Sequence, residues 1–200
     1  MEGDPMNDPS TLERRLITLE EFMSIPEDGV ERWVIRGELR EKRDTDLRRR
    51  GKLHGITEGN VTGLLWTWLQ ALPQPRGEVV CGDVGLLLRT APVTIPAGVD
   101  VAVVTADQAK QLTARASFFK GPPVLIVEIL SANDTQAEVA ERVEEYSACG
   151  VPLVWVLNPY FRTVTIHRPG IQALALDSTQ VITADPELPG FSAPVADFFG

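Results

Sequence analysis

Short apolar strands interleaved with amphipathic helices predict an α/β fold for this chain of 200 residues. The runs Val99-Asp-Val-Ala-Val-Val104, Val124-Leu-Ile-Val-Glu-Ile-Leu130 and Leu153-Val-Trp-Val-Leu157 are rich in branched residues and apolar on both alternations, as central strands covered on two faces are. Between residues 53 and 72, Leu53, Ile56, Val61, Leu64, Leu65, Trp68 and Leu69 recur at helical spacing, and Pro73 ends the run. A second helix is expected over Asp134 to Ala148, with Asn133 as its N-cap and Gly150 as its stop, between the second and third apolar runs.

The other elements follow in order. Residues 1–15 are expected to be a flexible tail, and 16–200 a single domain. Thr18-Leu-Glu-Glu21 is a capping box, so a short helix should run through Met23 and end before Pro26. Residues 33–39 read as a strand and a bend. Val79 to Leu88 is strand-like, and its glycines Gly82 and Gly85 suggest a bulge. Thr163-Val-Thr-Ile-His167 and the segments near Leu174 and Val181 suggest a closing antiparallel meander.

Composition narrows the class. Apolar residues at 44% and charged residues at 24% describe a globular chain, not a disordered one. No apolar run approaches the roughly 18–20 residues that cross a bilayer, so no membrane partner is expected. The acidic, polar start is no secretory signal, which points to the cytoplasm. Cys81 and Cys149 are then read as reduced thiols, and His54 and His167 as structural residues, too few for a zinc finger. There is no Gly-x-Ser-x-Gly elbow, phosphate-cradling loop or dinucleotide fingerprint.

The net charge of −9 argues against nucleic-acid binding when taken whole, but it is uneven. Residues 1–31 carry −7, residues 32–52 carry +5, and residues 53–200 carry −7. The basic stretch RDTDLRRRGK lacks apolar periodicity and reads as an exposed loop. It is either a phosphate-contacting arm, with Arg48, Arg49 and Arg50 as contacts, or a solvated loop balancing an acidic face.

Asp100 and Glu128 each interrupt an apolar strand. A carboxylate inside a buried strand is costly unless it is paired, hydrogen-bonded, neutralised or bound to a cation. Two such acids converging at strand ends would form a hard oxygen site suited to magnesium or manganese. Alternatively, they are separate acids satisfied by local amides or arginine. Asp83, in the glycine-flanked strand, is either a further acid facing the same cleft or a bulge residue.

Thr18-Leu-Glu-Glu-Phe22, Gly37-Glu-Leu39, the Asp100 and Glu128 strands, Arg142-Val-Glu-Glu-Tyr146, Gly150-Val-Pro152, Trp155-Val-Leu-Asn-Pro159 and Leu188-Pro-Gly-Phe-Ser192 occur in a consistent order. Over residues 16–200 this set resembles the Uma-two family of restriction-endonuclease-like proteins, in the PD-(D/E)XK nuclease superfamily. The resemblance implies a mixed central β-sheet flanked by α-helices and a magnesium- or manganese-dependent DNA endonuclease that often works as a homodimer. Asp100 and Glu128 fall on the family's metal-binding acids, and the backbone carbonyl of Ile129 on its third ligand. The bound metal polarises the scissile phosphate and lowers the pKa of an attacking water.

The chain also departs from that pattern. Leu130 stands where the wider superfamily has lysine, and Arg142 where this family offers one from the next helix. Arginine can stabilise negative charge but does not act as a base, because its pKa stays above about 12. Trp33 stands at the family's early glutamate, and Val99 where proline is common. Arg142 is therefore either an electrostatic stabiliser at the site or an ion-pair partner of Glu138. Tyr146 either lines the cleft or packs its ring on the sheet, and Glu38 is a turn residue or a site neighbour. The reading that competes with an endonuclease is a degenerate nuclease fold acting as a nucleic-acid or protein binding module.

Overall fold

The computed structural model describes residues 16–26, 28, 30–42, 51–89, 95–111 and 118–200. The expected tail and the Arg48, Arg49 and Arg50 run lie outside the described residues. Helix α1 (Leu19–Ser24) opens on the predicted capping box: Glu21 N–H donates to Thr18 Oγ1, and Thr18 N–H donates to the Glu21 carboxylate. Strands β1 (Glu31–Ile35) and β2 (Glu38–Lys42) form a separate antiparallel hairpin. Its turn residues Arg36 and Gly37 both have positive φ, 51° and 84°, as tight hairpin turns matched to strand twist require.

Helix α2 (Lys52–Gln70) follows, then β3 (Glu78–Arg89), β4 (Ile95–Val104), the short α3 (Ala106–Lys110) and β5 (Phe119–Lys120). Next come β6 (Leu125–Ile129), α4 (Gln136–Ala148), β7 (Val154–Asn158), β8 (Thr163–Arg168) and β9 (Ile171–Asp177). Strands β10 (Val181–Thr183) and β11 (Ser192–Pro194) precede a final 3-10 turn. Seven strands make one sheet in the order β5-β3-β4-β6-β7-β8-β9. Pairs β6–β7 and β3–β5 are parallel and the other neighbours antiparallel, so the sheet is mixed as expected. Helix α4 makes the crossover between β6 and β7.

The meander stops at β9. The segment at Val181 leaves the sheet and pairs with β11, which turns Ile182 into the core instead of lengthening the sheet edge. The cap of α4 also differs from expectation: it is Thr135, not Asn133. Thr135 and Glu138 form a reciprocal capping box, while the Asp134 carboxylate accepts from Ser131 N–H and hydroxyl.

Two apolar layers cover the sheet. On one face α2 and the C-terminal segment bring Val61, Leu65, Phe191 and Phe198 onto the fully buried Trp155, with the two phenylalanine ring centroids 5.4 and 5.9 Å from its own. On the other, the β1–β2 hairpin and α4 bring Val34, Val143 and Tyr146 onto Ile126 and Val154. The hairpin is fastened to α4 through acids: Glu145 Oε2 accepts Arg36 N–H at 3.0 Å, and Glu141 Oε1 lies 3.3 Å from Arg40 Nη2. Glu145 Oε1 is also 3.5 Å from Arg89 Nη2 on β3.

Candidate active site

The site begins as a defect in the β3–β4 ladder. Cys81 pairs with Val101 and Val84 with Val99, so Gly82 and Asp83 together oppose Asp100. This is a β-bulge, a device that bends a strand and re-aims a side chain. Its effect shows in β4, where Val99 and Ala102, three residues apart, pack into the same layer. The two-residue alternation therefore slips at Asp100. Gly82 and Asp83 adopt φ of 89° and 58°, and the exposed Asp83 carboxylate sits over Gly98. Asp83 thus takes the bulge position.

The antiparallel register of β4 and β6, Val101 with Val127, puts Asp100 beside Glu128 one step further on. The two residues are 4% and 8% exposed. Asp100 Oδ2 accepts a 2.7 Å hydrogen bond from Ile129 N–H, continuing the β4–β6 connection by a side chain where the paired register ends. Ile129 was expected to contribute through its carbonyl; the contact it makes to Asp100 is through its N–H.

The flanking elements complete the arrangement. Tyr146 on α4 is buried and donates its hydroxyl to Glu128 Oε1 at 2.6 Å, so it both packs on the sheet and touches the site. Arg142, one turn earlier and 6% exposed, places Nε 3.6 Å from Glu128 Oε2 and Nη2 3.5 Å from Asp134 Oδ1. Its guanidinium carbon lies 5.6 Å from the ring centroid of Trp33. The structure thus brings Asp100, Glu128, Ile129, Arg142 and Tyr146 together.

Sequence reasoning missed three neighbours. His54, treated as structural, is buried in the first turn of α2 with Nε2 3.3 Å from Asp100 Oδ2 and Nδ1 3.8 Å from Glu58 Oε2. A clue was available, since His54 heads the face that continues through Val61 and Leu65 and has an acid four residues on. Asp134 and the ring of Trp33 were the other two.

The family model described as "Putative restriction endonuclease", Uma2 (Uma-two), matches residues 19–196. The chain belongs to the Uma2 family. Among solved structures it is similar to the crystal structure of a nuclease of the DUF820 group, described as putative, from Anabaena variabilis ATCC 29413. The TM-score is 0.73 at 19% identity, over 92% of this chain and 97% of that one, a likeness of fold. No curated protein matches the chain in sequence. The Uma2 match and this likeness agree with a nuclease-type α/β architecture built on a mixed sheet. No helix among the described residues is long and apolar enough to cross a membrane.

Asp100 and Glu128 on neighbouring strands, with the Ile129 carbonyl on the same strand as Glu128, are oxygen donors of the type a hard divalent cation takes. Among the described residues no group of three or more His, Cys, Asp and Glu side chains is arranged to hold a metal ion. Magnesium is commonly bound through one or two carboxylates, with waters and substrate phosphates filling the remaining positions.

Proposed function

We propose that this Uma2 protein is a metal-dependent DNA endonuclease that hydrolyses phosphodiester bonds. The observation that carries the reading is the burial of two acids, Asp100 and Glu128, on the neighbouring strands β4 and β6, with Arg142 against Glu128. Asp100, Glu128 and the Ile129 carbonyl would hold magnesium or manganese, whose chemistry there is to polarise the phosphate and acidify a water. Arg142 offsets negative charge on the phosphate as the nucleophile attacks, and Tyr146 fixes the rotamer of Glu128. Bonds to Ile129 N–H and His54 keep Asp100 in place. Arg48, Arg49 and Arg50 are assigned to the phosphate backbone, where each contact would steepen the salt dependence of binding. The protein is placed in the cytoplasm, with a homodimer addressing the two strands.

One observation favours a second reading. One Glu128 oxygen accepts from the Tyr146 hydroxyl and the other faces Arg142 Nε at 3.6 Å, so a charge partner within the chain stands where a cation would. That would suit a degenerate nuclease fold serving as a nucleic-acid or protein binding module. Plasmid cleavage with magnesium or manganese separates the two. The endonuclease predicts metal-dependent nicking or linearisation by wild type and at least a hundredfold loss in both Asp100→Ala and Glu128→Ala. Cleavage that survives both substitutions sinks the site, and DNA binding without cleavage selects the module.

A further inference from the structure

We propose that Trp33 is a positioning residue for Arg142: its indole face carries the guanidinium and sets the direction in which the arginine meets Glu128. The guanidinium carbon stands 5.6 Å from the ring centroid, within the roughly 6 Å over which a cation is drawn to a π-face. Arg142 also faces carboxylates, Nε toward Glu128 at 3.6 Å and Nη2 toward Asp134 at 3.5 Å. Both are longer than the 2.8 Å of Arg32 to Asp28 or the 2.9 Å of Arg168 to Glu187. A ring against the flat face of the guanidinium adds a restraint that these contacts do not supply.

The ring is itself held in place. Trp33 lies on β1, two residues from the last residue of that strand, and Arg142 lies on α4. The bonds from Glu145 and Glu141 to Arg36 and Arg40 tie the hairpin to that helix, so ring and guanidinium belong to fastened elements. The choice of tryptophan points the same way. Its Nε1 is buried with no hydrogen-bond partner among the described residues, a desolvation cost that phenylalanine would avoid. What tryptophan offers over phenylalanine is a stronger cation-binding face.

The consequence for catalysis rests on the endonuclease reading; the contact itself does not. A double-mutant cycle in the full chain, with Trp33→Leu, Arg142→Met and the double variant, reads the contact by chemical denaturation. The expected coupling is about five- to tenfold in the unfolding equilibrium constant, as for a desolvated cation–π pair. Trp33→Phe should retain most of that coupling. If Arg142→Met does not fold, Arg142→Gln takes its place. In magnesium-dependent plasmid cleavage, Trp33→Leu should slow the reaction about tenfold, as loss of a positioning contact does, while Trp33→Phe stays within about threefold. In the Arg142→Met background, Trp33→Leu should have no further effect. Coupling indistinguishable from unity, or equal losses in the Leu and Phe variants, overturns the proposal. A wild type that cleaves nothing but shows the coupling overturns the endonuclease reading and leaves the positioning role in place.

Discussion

The phenol of Tyr146 lies under the hairpin with its ring in the apolar layer and its hydroxyl on a carboxylate of the neighbouring strand. A hydrogen bond to a charged acceptor in a buried setting contributes about 1.5–3 kcal/mol. Tyr146→Phe, which keeps the ring, is therefore expected to lower unfolding free energy by about that amount with an unchanged denaturant slope. A midpoint equal to wild type in urea titration would show the bond contributes nothing. Residues of this kind differ in how far the sequence exposes them. Asp100 and Glu128 were legible because an acid inside an apolar strand is a local anomaly. His54 against Asp100 and Trp33 against Arg142 are contacts between separate elements; the pattern of α2 puts His54 on the buried face, but no local pattern names either partner. Trp33 and Arg142, two of the positions set apart in the sequence, are in space a single contact.

Glycines test the elements, because the same substitution should act in opposite directions. Gly63, inside α2, has open space where a methyl would project, with nothing within 4 Å, so Gly63→Ala should stabilise the chain by about 0.8–1 kcal/mol through helix propensity. At Gly98, on β4 and paired with Gly85 beyond the bulge, a Cβ would meet the Asp83 carboxylate at 2.5 Å. Gly98→Ala must displace Asp83 and is expected to destabilise, by about 1–3 kcal/mol if the bulge shifts. Thermal unfolding of the two variants checks the pair: a lower melting temperature for Gly63→Ala contradicts the first assignment, and a higher one for Gly98→Ala the second. Helix α2, the α1 capping box and the central strands were legible from periodicity and caps. The cap of α4 was misplaced because Asn133, Asp134 and Thr135 are all competent caps, and only the reach of Glu138 back to Thr135 decides among them. The departure of β10 from the meander is likewise set at long range, by the aromatic layer that receives Ile182.

For the whole molecule, acid should be the weakness. Burial holds the His167 imidazole below its ordinary value of 6.5, so the unfolded chain takes up that proton more readily than the folded one. No penalty exists above 6.5, and one grows as pH falls from there toward the depressed value. Burial raises the Glu187 carboxyl, but the Arg168 guanidinium and Glu187's own backbone N–H outweigh it and leave the group below its ordinary 4.5. The Thr179 hydroxyl, helped by the Thr179 backbone N–H, similarly lowers Asp177. These carboxylates contribute stability above their ordinary values and lose it as pH falls through the depressed ones. Melting temperature should thus decline in two stages on acidification, and His167→Gln should remove the first stage alone. Circular dichroism melts across pH check this, and a first stage that persists in the variant excludes His167 as its source. At this scale the fold class was legible, whereas the net charge says little about partners, because −9 is a sum over unlike segments. The hydrogen bond from Ile129 N–H to Asp100 has an evolutionary consequence. It extends the backbone pairing of β4 with β6, so selection for a foldable sheet alone would favour an acceptor at position 100, whatever the chain's activity. Contacts that stitch no strands, the indole beside Arg142 among them, have no such protection.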